Sequence, residues 1–152
     1  MANIAEDAVK SVVTKLQSVA ELSGKSFYIL SDDELTAFSG LFPFPAVGVI
    51  YEGMRSAGEA GKTSGRNGLS AKLSINVVLI FKDQSDVIPM QLDTIKTEAL
   101  ALMDKIRNTL RDTQGPSMHK WEFVLETPAM SKKGVVVWMQ RWTLPVLLTQ
   151  GL

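Results

Sequence analysis

The order of elements along the chain predicts an α+β fold: a largely antiparallel sheet of about five strands with two main helices packed on one face. Three observations carry this. Apolar residues repeat at helical spacing near the N-terminus and again after residue 89, and five other segments are short, rich in β-branched and aromatic residues and bounded by turn residues. No strand–helix–strand unit repeats, which argues against the parallel α/β classes. The chain has 152 residues, 45% hydrophobic and 21% charged, the length and composition of a single domain, 1–152, with one core.

Residues 4–22 place Ile4, Ala8, Val12, Leu16 and Val19 on one helical stripe, joined by Val9 and Val13. Asn3 is a capping residue with Glu6 three positions on, and Gly24 suits a left-handed stop. Lys25 to Leu30 reads as a short strand, followed by a polar turn at Asp32, Asp33 and Glu34. Phe42-Pro43-Phe44-Pro45 enforces extended backbone, because each proline disfavours helix in the residue before it. Ala46 to Met54 is the second strand. Residues 55–68 hold Gly58, Gly61, Gly65 and Gly68 and no large apolar side chain, which predicts a long flexible loop. Arg55, Lys62 and Arg66 make it basic, opposed only by Glu59.

Leu69 to Lys82 is a long strand with Leu73, Ile75, Val77, Leu79 and Phe81 on one face. Ser74 and Asn76 begin the other face, but Val78 and Ile80 continue it. Pro89 opens the second helix, which runs to about Asp112 and stops before Gly115-Pro116. Trp121 to Glu126 alternates like a half-buried strand, Pro128 to Gly134 reads as a hairpin loop, and Val135 to Leu148 is the last strand. Two helices cover one sheet face. The other still carries Val78 and Ile80, with Trp138 and Trp142 or their alternates, and a monomer rarely leaves such a patch in water. Two remedies are open: a neighbouring subunit docks on these residues, or the segment with Phe38, Leu41, Phe42 and Phe44 folds back over them.

Several chemistries find no support. There is no cysteine, hence no disulfide or thiolate site. Sixteen basic residues balance sixteen acidic ones, which weighs against a dedicated nucleic-acid binder. No apolar run reaches the ~20 residues that span a bilayer, and Glu6, Asp7, Lys10 and Lys15 interrupt any signal-peptide core, so a soluble protein made inside the cell is expected. Gly61-Lys62-Thr63 matches the end of a phosphate-binding loop, but Ser56 stands where the motif needs glycine and a strand follows where it needs a helix. His119, the single histidine, reads as a turn residue. The acidic cluster at 32–34 has turn chemistry and no metal-site spacing. Trp121, Trp138 and Trp142 with Arg141 could form a base-stacking platform, but core or interface tryptophans are the commoner arrangement. No catalytic residue, cofactor or metal is assigned, and the chain is read as a non-enzyme.

The whole arrangement resembles the tail terminator (tail completion) proteins of tailed bacteriophages, the minor tail protein U class. The resemblance rests on element order, on size, and on segments such as Phe44 to Tyr51, Trp121-Glu122-Phe123 and Arg141 to Pro145. It implies a structural virion protein at the tail–neck junction, made in the host cytoplasm: a homohexameric ring that caps the tail tube and meets a head or neck connector. It implies no catalysis, cofactor, membrane or specific nucleic acid. Arg55, Lys62 and Arg66 are the candidate docking residues, and Val78, Ile80, Trp138 and Trp142 the candidate subunit interface. A different head–tail connector, or a small α+β ligand-binding domain or enzyme, are the competing readings. The phosphate-loop reading has its own check: by equilibrium dialysis with ATP and magnesium, wild type and Lys62→Ala should both show no saturable binding.

Overall fold

The computed structural model describes residues 3–22, 26–30, 45–56, 68–82, 91–132 and 135–149. Helix α1 (Ile4–Gln17) starts where Asn3 Oδ1 accepts hydrogen bonds from the Ala5 and Glu6 backbone N–H groups, at 3.0 and 3.4 Å. The Glu6 carboxylate turns to Lys10, whose hydrogen bond and charge hold it below the usual carboxylate range. The helix is shorter than its apolar stripe. It ends at Gln17, and a 3-10 turn (Ala20–Leu22) carries Leu22 into the core. Helix α2 (Gln91–Leu110) buries Ala99, Leu102, Met103, Ile106 and Leu110. Lys105 pairs with Glu21 at 3.2 Å, tying the 3-10 turn to α2.

Five strands follow the order β1-β2-β3-β5-β4: β1 (Ser26–Leu30), β2 (Ala46–Ser56), β3 (Gly68–Lys82), β4 (Glu122–Lys132) and β5 (Val135–Thr149). β2 through β5 form an antiparallel set of four, and β1 joins β2 in parallel. The class is therefore α+β, and its strictly antiparallel set is smaller by a single strand than the sequence predicts. α1 lies against β1 and β2, α2 against β3 and β5, and the helices touch each other.

Side-chain alternation divides the sheet. The helix face supplies Val47, Val49, Leu73, Ile75, Val77, Leu79, Trp138, Trp142 and Leu144 to one cluster with both helices. Phe81 meets Trp138 edge-on at 6.1 Å, and Phe123 meets Trp142 at 5.3 Å. Trp142 is fully buried and Trp138 nearly so. They belong to the helix-packed core of the single chain, on the face opposite Val78 and Ile80, and Arg141 does not share their face. Val78 and Ile80 do lie on the helix-free face, with Ala46, Ile50 and Val137, but all five are buried within the single chain. A neighbouring subunit is not needed to shield them. The turn at 32–34 and the segment with Phe38, Leu41, Phe42 and Phe44 lie outside the described residues, as do Gly24 and Pro89.

Two boundaries differ from expectation. Arg55, Ser56 and Gly68 belong to strands, Arg55 and Ser56 pairing with Lys72 and Ala71, so both ends of the expected 55–68 loop are strand, and 57–67 lie outside the described residues. β4 runs through Pro128 to Lys132, where a loop is expected; it is an edge strand, and an edge tolerates a residue without an N–H. After α2 the chain reverses through a small loop in which the Gly115 N–H donates to the His119 carbonyl at 2.8 Å. A Cβ on residue 115 would collide with the end of the buried Leu144 side chain, which would have to shift to admit any larger residue there. His119 is an exposed turn residue, as expected.

One buried polar group fastens helix to sheet. Gln140, fully buried, donates from Nε2 to the Met103 carbonyl and to Glu126 Oε1, both at 2.7 Å, and accepts from Trp142 Nε1 at 3.0 Å. Arg107 closes the set on the same Glu126 oxygen at 2.7 Å. Gln140→Ala leaves a cavity and strands the Trp142 indole N–H. Unfolding in urea should show a loss of about 2–4 kcal/mol with an unchanged slope.

Candidate functional site

On the helix-free face the alternation changes character halfway along. One half is the dry set of Ala46, Ile50, Val78, Ile80 and Val137. The other is polar. Asn76 stands opposite Arg141, Ser74 opposite Thr143, and Lys72 opposite Arg55. Apart from the buried Asn76, these residues line an open groove of about 370 Å³ that crosses β2, β3, β5 and β4.

A bulge in β2 shapes the groove. Register slips between Tyr51 and Gly53, leaving Glu52 as the extra residue on this strand. Gly53 adopts φ +122°, a left-handed conformation that favours glycine, and no atom lies within 4 Å of where its Cβ would be. The bulge carries the Glu52 carboxylate onto Asn76 and Arg141. Asn76 Nδ2 donates to Glu52 Oε1, Arg141 Nη2 pairs with Glu52 Oε2 at 3.1 Å, and Arg141 Nε donates to Asn76 Oδ1 at 3.3 Å. Asn76 is only 3% exposed, so this amide locks the guanidinium from below. At the rim, Lys72 pairs with Glu122 at 3.3 Å, both side chains about half exposed. Val124, beside a second bulge at the start of β4, is an exposed apolar lip.

Of the predicted docking residues, Arg55 lies in this groove, while Lys62 and Arg66 fall outside the described residues. The sequence reading missed Glu52, Lys72 and Asn76 as site residues and placed Arg141 beside the wrong neighbours. Some of the signal was in view: the switch from Lys72, Ser74 and Asn76 to Val78 and Ile80 along one face marks where the wet half begins. The bulge left no comparable mark, and without it Glu52 cannot be placed. A second groove, of about 600 Å³ between α1 and the 112–120 segment, is shallower and lined by Thr14, Lys15, Asp112 and Lys120 among others. Among the described residues no group of three or more His, Asp or Glu side chains could hold a metal, and no helix is long and apolar enough to cross a membrane.

No protein-family model matches the chain, and no curated protein matches its sequence. The fold and this groove are therefore the basis for a functional reading.

The two ion pairs differ in burial, and that difference decides their worth. Glu52→Ala removes the carboxylate partner of the half-buried Arg141 guanidinium and of the Asn76 amide N–H, leaving the Arg141–Asn76 hydrogen bond alone. Chemical denaturation should register a loss of about 1 kcal/mol, while Glu122→Ala, at the exposed pair, should cost no more than ~0.5 kcal/mol.

Proposed function

We propose that the chain is a structural subunit of a phage tail, a tail terminator that assembles as a closed ring, caps the tube and meets a head or neck protein. The observation that supports it best is the asymmetry of the sheet. One face is sealed by helices; half of the other is an open, charged groove beside the β2–β3 connection and a bulged strand edge, a surface suited to another protein. The element order on which the resemblance rests, helix, three strands, helix, two strands, is also the order of the main elements among the described residues. Closed cyclic symmetry would satisfy every copy of a head-to-tail contact, and the resemblance makes the ring hexameric. A second reading, a small-ligand-binding domain, has the groove volume in its favour, since ligand sites commonly span ~300–1,000 Å³.

Mass in solution and electron micrographs separate the two: rings, alone or on tail ends, against a monomer that binds a small molecule. Tail addition separates a terminator from another connector, because only a terminator joins unterminated tubes to heads. The sharpest variant joins Ser56 to Gly68 through two glycines. Because Ser56 pairs with Ala71, this leaves a five-residue hairpin loop, a common length. The fold should survive with an unchanged circular dichroism spectrum, and tail joining should fail. Wild-type joining by this variant would remove the connection from the docking surface.

A further inference from the structure

The pairing of Arg55 with Lys72 is an anomaly. The two residues are direct cross-strand partners and line the same groove. Like charges directly opposite on one face are unfavourable, since their Cβ atoms stand only ~5 Å apart. Lys72 has partial relief from Glu122, through an exposed contact of the kind that contributes little. Arg55 has no ion-pair partner among the described residues. The nearby carboxylates leave Arg55 uncompensated: Glu52 is taken by Arg141 and Asn76, and Glu122, at the rim, reaches only Lys72. An anion placed between Arg55 and Lys72 would turn a repulsive pair into a bidentate clamp.

A second cation stands at a fixed distance. Arg141 lies opposite Asn76, four residues along β3 from Lys72. At the strand rise this is ~13 Å. Its guanidinium is pre-oriented by Glu52 and Asn76, and its Nη1 makes no hydrogen bond among the described residues. The floor between the two cationic points is Gly53, Ser74 and Thr143. The missing side chain at Gly53 leaves open space there. A single small anion reaches one end only. An extended chain with acidic side chains four residues apart spans ~13 Å and reaches both.

We propose that this groove binds an extended acidic segment of a partner protein, with one carboxylate clamped by Arg55 and Lys72 and a second, four residues along, met by Arg141. The inference stands on the groove alone and does not require the tail reading. The site is charge-selective, weakens as salt rises, and gains stability from occupancy at the repulsive pair.

The probe is a fluorescein-labelled hexaglutamate peptide followed by fluorescence anisotropy at low salt. Saturable binding is expected, none with the hexaglutamine counterpart, and a drop in affinity of at least tenfold in Arg55→Gln/Lys72→Gln. Arg55→Lys, which keeps the charge, should stay within about threefold of wild type. The double variant should also melt no lower than wild type without peptide, because it removes a repulsion; this separates lost binding from lost fold. Arg55→Gln alone, at an exposed side chain, serves if the double variant fails to fold, and should weaken binding at least threefold. Absence of saturable binding, or wild-type affinity in Arg55→Gln/Lys72→Gln and in Arg55→Gln, overturns the proposal. So does inorganic phosphate competing as well as the peptide, which would make this a small-anion site. An oligothymidylate competing as well as the peptide would assign the groove to nucleic acid and overturn it too.

Discussion

Fifteen consecutive residues of β3 pair with fifteen of β5, from Gly68 with Thr149 to Lys82 with Val135, without a register break. Every other feature hangs on this ladder. Side chains alternate with a period of two, so a slip of one residue would send Leu73, Ile75, Val77 and Leu79 to the face of Asn76 and Ser74 and bring the polar set into the helix-packed core. The penalty for burying Lys72 and Asn76 against α2 would exceed anything a local rearrangement could recover. The register is therefore held by the core, and the groove inherits its geometry from it: Arg141 faces the same way as Asn76 because Trp142 and Gln140 face the other.

The partition explains how the molecule reconciles a well-packed interior with a charged concave surface. Irregularity is confined to the flanking strands. β2 bulges at Glu52 and β4 at Val124, both beside the polar half, and β4 is irregular again between Ala129 and Lys132 at its far end, while the inner pair stays regular. Bulges bend and twist the strand that carries them, and here they open the sheet where its floor is hydrophilic. Gln140 performs the complementary task on the other side. It is a buried amide with every hydrogen-bonding group used, and it pins α2 at one position along β5.

How much of this the sequence discloses follows from which signals are local. The helix N-terminus at Asn3, the two-sided character of 69–82 and the α+β class come from capping chemistry and periodicity, and the structure has them. The sequence reading groups Val78 and Ile80 with Trp138 and Trp142, but the structure puts the two pairs on opposite faces and buries all four within the chain, because burial is a property of the assembled chain. Period-two alternation says that Trp138 and Trp142 share a face, not which face the helices cover. Similarly, Pro128 reads as a loop residue until the strand that contains it proves to be an edge. The groove was legible in half: its floor from the polar run Lys72, Ser74 and Asn76, its lock not at all, because Glu52 reaches Arg141 through a bulge that no residue pattern announces.

The connection between the two innermost strands also sets a timetable. Paired residues of β3 and β5 are between 53 residues (82 to 135) and 81 residues (68 to 149) apart, with α2 and β4 intervening. During synthesis β2 and β3 can close as a local hairpin early, but one whole edge of β3 waits for the last strand to emerge. β4 has no sheet to join until β5 lies between it and β3. The nascent chain thus displays a fifteen-residue unpaired edge until β5 has been made, a template for mispairing with other copies. A ribosome that stops within β5 releases a chain without its inner strand, so premature termination there should yield aggregates rather than a slightly smaller fold.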